Sequence, residues 1–219
     1  MGVKLFVGEV AHVPTASMSP AISPGDWIWY EKYTFGAVLP ERISQLPLVN
    51  LFCALPFVWE NDRERDWGYH RVPGFRKPER MDVIVFRNPQ NRNQLLTKRI
   101  IGLPGDTLAI LRGEIYINGI LVNDISRHKA RWKNVDIGFP KDKRGLWTTQ
   151  KYGPLPIPQN ERNEEEDCYF VMGDERENSL DSRYIGFIPY RDIEGRVSCI
   201  LYSPDGSEGW KDSFFRRLD

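Results

Sequence analysis

Ser17 stands in PTASMSPAISPGD, residues 14–26, a stretch broken by three prolines and a glycine. A serine hydroxyl is a weak nucleophile until a neighbouring base takes its proton. That base is most often a histidine oriented by a carboxylate. This chain holds three isolated histidines, His12, His70 and His128, and the nearest, His12, has no evident orienting partner. A lysine can serve instead if its amine is neutral, which requires a pKa lowered from about 10.4 by roughly two to three units. Lys98, in LLTKRIIGL, is placed for that. On a strand it shares a face with Leu96 and Ile100 while Arg99 points the other way, so apolar neighbours would shield the amine. Taken singly, Ser17 is one loop hydroxyl among many and Lys98 half of a solvated Lys-Arg pair. A third stretch, GDERENSLDSRYIGFIP at 173–189, gathers Asp174, Arg176, Asn178, Ser179, Asp181, Ser182 and Arg183 directly after an apolar run. Such polar density reads as a buried hydrogen-bonded network that orients other groups.

The elements that must position these residues are strands. DWIWYEKY alternates, MDVIVFRN and LLTKRIIGL are apolar and β-branched, and CYFVMGD and GRVSCILYS supply two more. TLAILRGEIYINGILVND predicts strands reversed at Arg112-Gly113 and Asn118-Gly119. Helical signal is limited to a turn in YRDIEG and part of 40–58. The expected class is mainly β: an antiparallel catalytic core from 1–106 and 168–203, an inserted hairpin-and-loop cap over 107–167, and a surface tail at 204–219.

The 219 residues carry thirty acidic and thirty basic side chains, a balance that argues against a nucleic-acid partner. Cys53, Cys168 and Cys199 form no C-x-x-C pair, and the histidines have no metal-binding spacing, so no metal is expected. The acidic run NERNEEED at 160–167 reads as a solvated loop. LPLVNLFCALPFVW, 46–59, is too short to span a bilayer. It reads either as a buried segment or as an apolar surface dipping into a membrane interface.

SMSP with its following PGD, KRIIGLPGD, and GDERENSLDSRYIGFIP occur in that order, and together they resemble bacterial signal peptidase I, a serine–lysine endopeptidase family. The resemblance implies Ser17 as nucleophile and Lys98 as general base. It implies Thr15 as the hydroxyl that completes an oxyanion hole with the Ser17 N–H, and Ser179 as the hydroxyl that orients the base. Asp181 and Arg183 are expected as a bracing ion pair, with Asp174 and Arg99 as supporting charges. The implied activity is removal of signal peptides from exported pre-proteins after small residues, A-x-A, at a bilayer surface, and the resemblance implies no cofactor of any kind. Three positions depart from the family pattern: Ala16 and Met81 stand where glycine is usual, and Glu175 where asparagine is common.

The family carries one or two N-terminal membrane spans. None is present here, and the expectation is a soluble truncation of an enzyme facing the periplasmic side of the bacterial inner membrane, a natural variant being the other reading. Trp27 and Trp29, with Leu51, Phe52, Phe57 and Trp59, are the expected membrane-interface residues. A catalytically inactive signal-peptide-binding member, a peptidase specialised for one secretion or conjugation protein, and a self-cleaving repressor-type protease are the competing readings. The oligomeric state is not legible in the sequence.

Overall fold

Alternation decides which face each strand buries. In β2 (Trp27–Glu31), Ile28 and Tyr30 point into the core and Trp27 points out. β3 (Val83–Asn88) is buried on both faces over Val83–Phe86, as an apolar run in a central strand requires. β4 (Asn91–Gly102) changes character along its twelve residues: polar and exposed at NRNQ, buried from Lys98 onward. The computed structural model describes residues 6–39, 68–122, 151–204 and 214–218. The helical expectation for 40–58 and the interface residues Leu51, Phe52, Phe57 and Trp59 lie outside the described residues.

Two antiparallel sheets make up the fold. The larger, of eight strands, adds β1 (Gly8–His12), β9 (Cys168–Met172), β10 (Ile188–Pro189), β11 (Ile193–Tyr202) and β12 (Phe214–Arg217), in the order β1-β2-β11-β3-β4-β9-β10 with β12 also on β11. Residues 214–217 of the expected tail are therefore tied into the sheet. The smaller sheet is drawn entirely from 107–156: β5 (Thr107–Leu111), β6 (Glu114–Ile117), β7 (Ile120–Leu121) and β8 (Lys151–Pro156), in the order β7-β6-β5-β8. Its two hairpin reversals put Arg112-Gly113 and Asn118-Gly119 all at positive φ, the two-residue geometry that matches strand twist and favours Asn-Gly.

The two PGD segments fold alike. Asp26 accepts from the Ser23 N–H and Asp106 from the Leu103 N–H, each at 2.8 Å, closing a turn just before a strand. One core cluster, with Ile101, Leu108, Ile110, Ile117, Phe170 and Met172, packs the small sheet onto β4 and β9. A second gathers Met18, Ile22, Ile28, Val83 and Val85 beneath the Ser17 turn.

Candidate active site

The nucleophile candidate lies on a single 3₁₀ turn, Ala16–Met18, anchored by the fully buried Met18. β4 brings Lys98 to it across eighty-one residues of chain: the amine is 2.8 Å from Ser17 Oγ and donates to the Thr97 carbonyl at 2.7 Å. Lys98 is 3% exposed and Ser17 7%. Burial drives the Lys98 pKa down to about 8, against the opposing pull of the Asp181 and Asp174 carboxylates. Thr15 is exposed, and its Oγ1 lies 3.4 Å from Ser17 Oγ.

The loop after β9 supplies the frame. Gly173 approaches the Ser17 turn so closely that a Cβ there would lie 2.4 Å from the Ser17 carbonyl oxygen and 2.2 Å from Ser179 Oγ. Two residues on, the Glu175 N–H donates to that same Ser17 carbonyl at 3.1 Å. The nucleophile turn is thus fixed from behind by backbone alone. Behind the loop, Asp181 is fully buried and paired with Arg183 at 2.8 Å, and it accepts from the Gly173 N–H at 3.0 Å. Burial pushes the Asp181 carboxyl up, but Arg183 and the Gly173 N–H outweigh it and hold the acid below its usual range. Arg183 also donates to the Arg176 carbonyl, and α1 (Ser182–Ile185) starts on the Asp181 cap. Leaving either partner of such a buried pair alone typically costs about 3–5 kcal/mol. Arg99 grips Asp174 through two bonds of 2.9 and 2.7 Å and donates to the Met81 carbonyl. Met81 holds a left-handed backbone, φ 75°, which explains why glycine suits this position.

Ser179, expected to orient the lysine, is buried beside Gly173, where its hydroxyl helps hold the Asp181 carboxyl low; the Lys98 amine is engaged by Ser17 and Thr97. Trp27 is 45% exposed with its ring tilted against His12, while Trp29 lies across Gly8. The sequence reading missed Gly173, the Glu175 backbone and the Thr97 carbonyl. Only the glycine that opens GDERENS hints at them. Among the described residues, no group of three or more His, Cys, Asp or Glu is placed to hold a metal.

A buried lysine amine thus lies beside a serine hydroxyl on an antiparallel sheet, a juxtaposition in which the amine, when neutral, could accept the hydroxyl's proton. The family model described as "Signal peptidase, peptidase S26" matches residues 1–202. Signal peptidase I of Rickettsia bellii (strain OSU 85-389) is 29% identical over 224 residues, covering 92% of this chain and 68% of that protein. The probable signal peptidase I-2 of Synechocystis sp. is 28% identical over 203 residues, covering 90% of this chain and 64% of that one. A solved signal peptidase I from Enterococcus faecalis V583, 35% identical, overlays with a TM-score of 0.40 over 55% of this chain and 97% of that one. The protein is a hydrolase of the serine peptidase class. It belongs to the signal peptidase family, peptidase S26.

Proposed function

We propose that this chain cleaves signal peptides from exported pre-proteins with Ser17 as nucleophile and Lys98 as general base. The 2.8 Å approach of a shielded amine to Ser17 Oγ carries the reading. Ser17 Oγ attacks the scissile carbonyl as Lys98 takes its proton. The oxyanion forms against the Ser17 N–H and the Thr15 hydroxyl, a type of donor whose loss typically costs about 2.7–4 kcal/mol. Lys98 returns the proton to the leaving amine, then activates water to release the acyl group. Ser179, buried beside Gly173 against the Ser17 turn, is assigned to steady the amine once substrate covers the site.

Substrate geometry follows from β4. Its pairing with β9 stops at Arg99↔Met172, because β9 turns away at Gly173. Among the described residues no strand pairs with the edge of β4 on that side next to Lys98, and an extended peptide adding to Gln94–Thr97 would bring its scissile bond to Ser17. Small residues one and three before the bond fit the closely packed ground above Met18, Ile28, Val83 and Val85.

The reading is tested by offering a precursor with an A-x-A site across pH. Wild-type kcat/KM is expected to rise about tenfold per pH unit below 8 and level off above it, as the amine loses its proton. Ser17→Ala should be inert throughout. A cut made by Ser17→Ala, or a profile flat from pH 6 to 9, would remove the dyad.

The same reading places the enzyme at a bilayer surface, on the extracytoplasmic side of the bacterial inner membrane. No helix among the described residues is long and apolar enough to cross a membrane. Support comes from the outer face of β1, β2 and β11, where His12, Trp27 and Tyr202 pair across the strands, with Val10 opposite Trp29 in the next row. Trp27, Tyr202 and Val10 are all exposed there. Interfacial rings of this kind favour the headgroup layer, and the row ends where the chain enters the Ser17 turn. Trp27→Ala with Tyr202→Ala is expected to weaken liposome partitioning by about tenfold or more, each large side chain contributing about 1.5–3 kcal/mol when fully buried. Partitioning equal to wild type would rule this face out.

A further inference from the structure

Beyond Phe86 and Leu96 the β3–β4 hairpin leaves its neighbours behind. β11 begins pairing with β3 at Ile193↔Phe86, and β9 pairs with β4 only from Arg99 onward. The remaining arm, through the turn at Pro89-Gln90, has no strand beside it among the described residues. Asn88 closes the turn internally, donating to Gln94 and accepting from the Gln90 N–H. What fixes the arm to the body is a pair of ion pairs to the corner at which β11 starts. Arg87 on β3 donates to Glu194, and Arg92 on β4 donates to Asp192 at 2.7 Å.

The second of these is unusual in its burial. Asp192 is 3% exposed, and among the described residues Arg92 is the one hydrogen-bond donor to its carboxylate. Arg92 is itself 57% exposed at its side chain, so the buried partner belongs to the body and the solvated one to the arm. A buried carboxylate is costly unless paired. Asp192 therefore draws Arg92, and with it the start of β4, into one position. The ends are one hundred residues apart in sequence, so the pair does what neither local turn chemistry nor sheet pairing does for this arm.

We propose that Asp192, acting through Arg92, is a positioning residue for the peptidase reaction: the latch holds the β3–β4 arm so that Gln94–Thr97 offers a straight edge to the extended substrate. This rests on the β4-edge reading given above. The five residues from Gln94 to Lys98, four steps along a strand, span about 13 Å, so only a peptide long enough to run that distance senses the arm. A short peptide occupying just the Ser17–Lys98 end does not.

The test compares two model peptides with one A-x-A site: a short one with two residues beyond the motif, and a long one extended by five residues on each side in turn. Arg92→Ala is expected to raise KM for the long peptide about tenfold with kcat within twofold, roughly 1.4 kcal/mol of lost positioning. kcat/KM for the short peptide should stay at the wild-type value, and Arg92→Lys, which keeps the charge, should recover most of the long-peptide KM. Equal effects on both peptides, or none on the long one, would overturn the latch. Wild-type enzyme separates this from the reading beneath it. N-methylation of alternate backbone amides in the long peptide should raise its KM if it pairs with β4. Insensitivity to N-methylation removes the edge reading and the latch together. Sensitivity combined with an unaffected Arg92→Ala removes the latch alone.

Discussion

Lys98→Met is expected to lower kcat/KM on an A-x-A precursor by about 10⁴-fold or more while the protein becomes harder to unfold at pH 7. Activity falls because no other described base is in hydrogen-bond reach of Ser17 Oγ, Thr15 supplying only a hydroxyl at 3.4 Å. Stability rises because the native state holds the amine at a pKa near 8 through burial, below its value in the unfolded chain. Below pH 8 both states are protonated, and the folded one bears a desolvated ammonium. Between about 8 and 10.5 the unfolded chain binds the extra proton, so wild-type stability climbs with pH across that window. Methionine removes the penalty, worth on the order of 2–3 kcal/mol at neutral pH, and flattens the climb. Lys98→Arg should be as inactive, since a guanidinium does not give up its proton. Denaturant melts at pH 7 and 10 beside the cleavage assay check both halves. Lys98→Met retaining activity within tenfold of wild type would end the assignment of the proton acceptor.

Gly173→Ala is expected to cost about 10²–10³-fold in kcat with KM little changed, because Ser17, the proposed nucleophile, shifts while the proposed substrate edge on β4 does not. The added methyl would sit 2.4 Å from the Ser17 carbonyl oxygen and 2.2 Å from Ser179 Oγ. Ser179 can turn aside, but the Ser17 carbonyl is backbone and is held by the Glu175 N–H. Trimming the side-chain clash should therefore fail: Gly173→Ala with Ser179→Gly should be no faster than Gly173→Ala alone. Recovery in the double variant would place the conflict at Ser179 and clear the backbone contact of responsibility.

The contrast between those two residues also marks how far the sequence could be read. Lys98 was legible as a candidate, because a strand pattern sets it on one face with Leu96 and Ile100, but only its place in KRIIGLPGD beside the other two motifs set it apart from a solvated Lys-Arg pair. The hairpin reversals were legible for a similar reason, since Arg112-Gly113 and Asn118-Gly119 name their own backbone angles. The acidic and basic residues of 174–183 were legible as a network, though their pairings were read only through the family resemblance. Gly173 and Glu175 act through backbone atoms, which every residue has, so no residue type signals their contact with Ser17. The Arg92–Asp192 pair spans one hundred positions and depends on where β11 begins, which periodicity does not encode. Met81 shows the reverse case: its departure from glycine is visible in the sequence, but its left-handed backbone and its carbonyl's bond to Arg99 needed coordinates.

Glu175 illustrates a different kind of freedom. Its tie to the Ser17 turn is a main-chain N–H, so that joint does not depend on which side chain stands at position 175. The eighty-one residues between Ser17 and Lys98 carry a further implication. In a nascent or unravelled chain the lysine is an ordinary hydrated cation and the serine an ordinary alcohol, so the polypeptide is harmless to its neighbours. On the proposed dyad, reactivity arises only when distant segments close over the amine and strip it of water, which makes completion of the sheet the arming step.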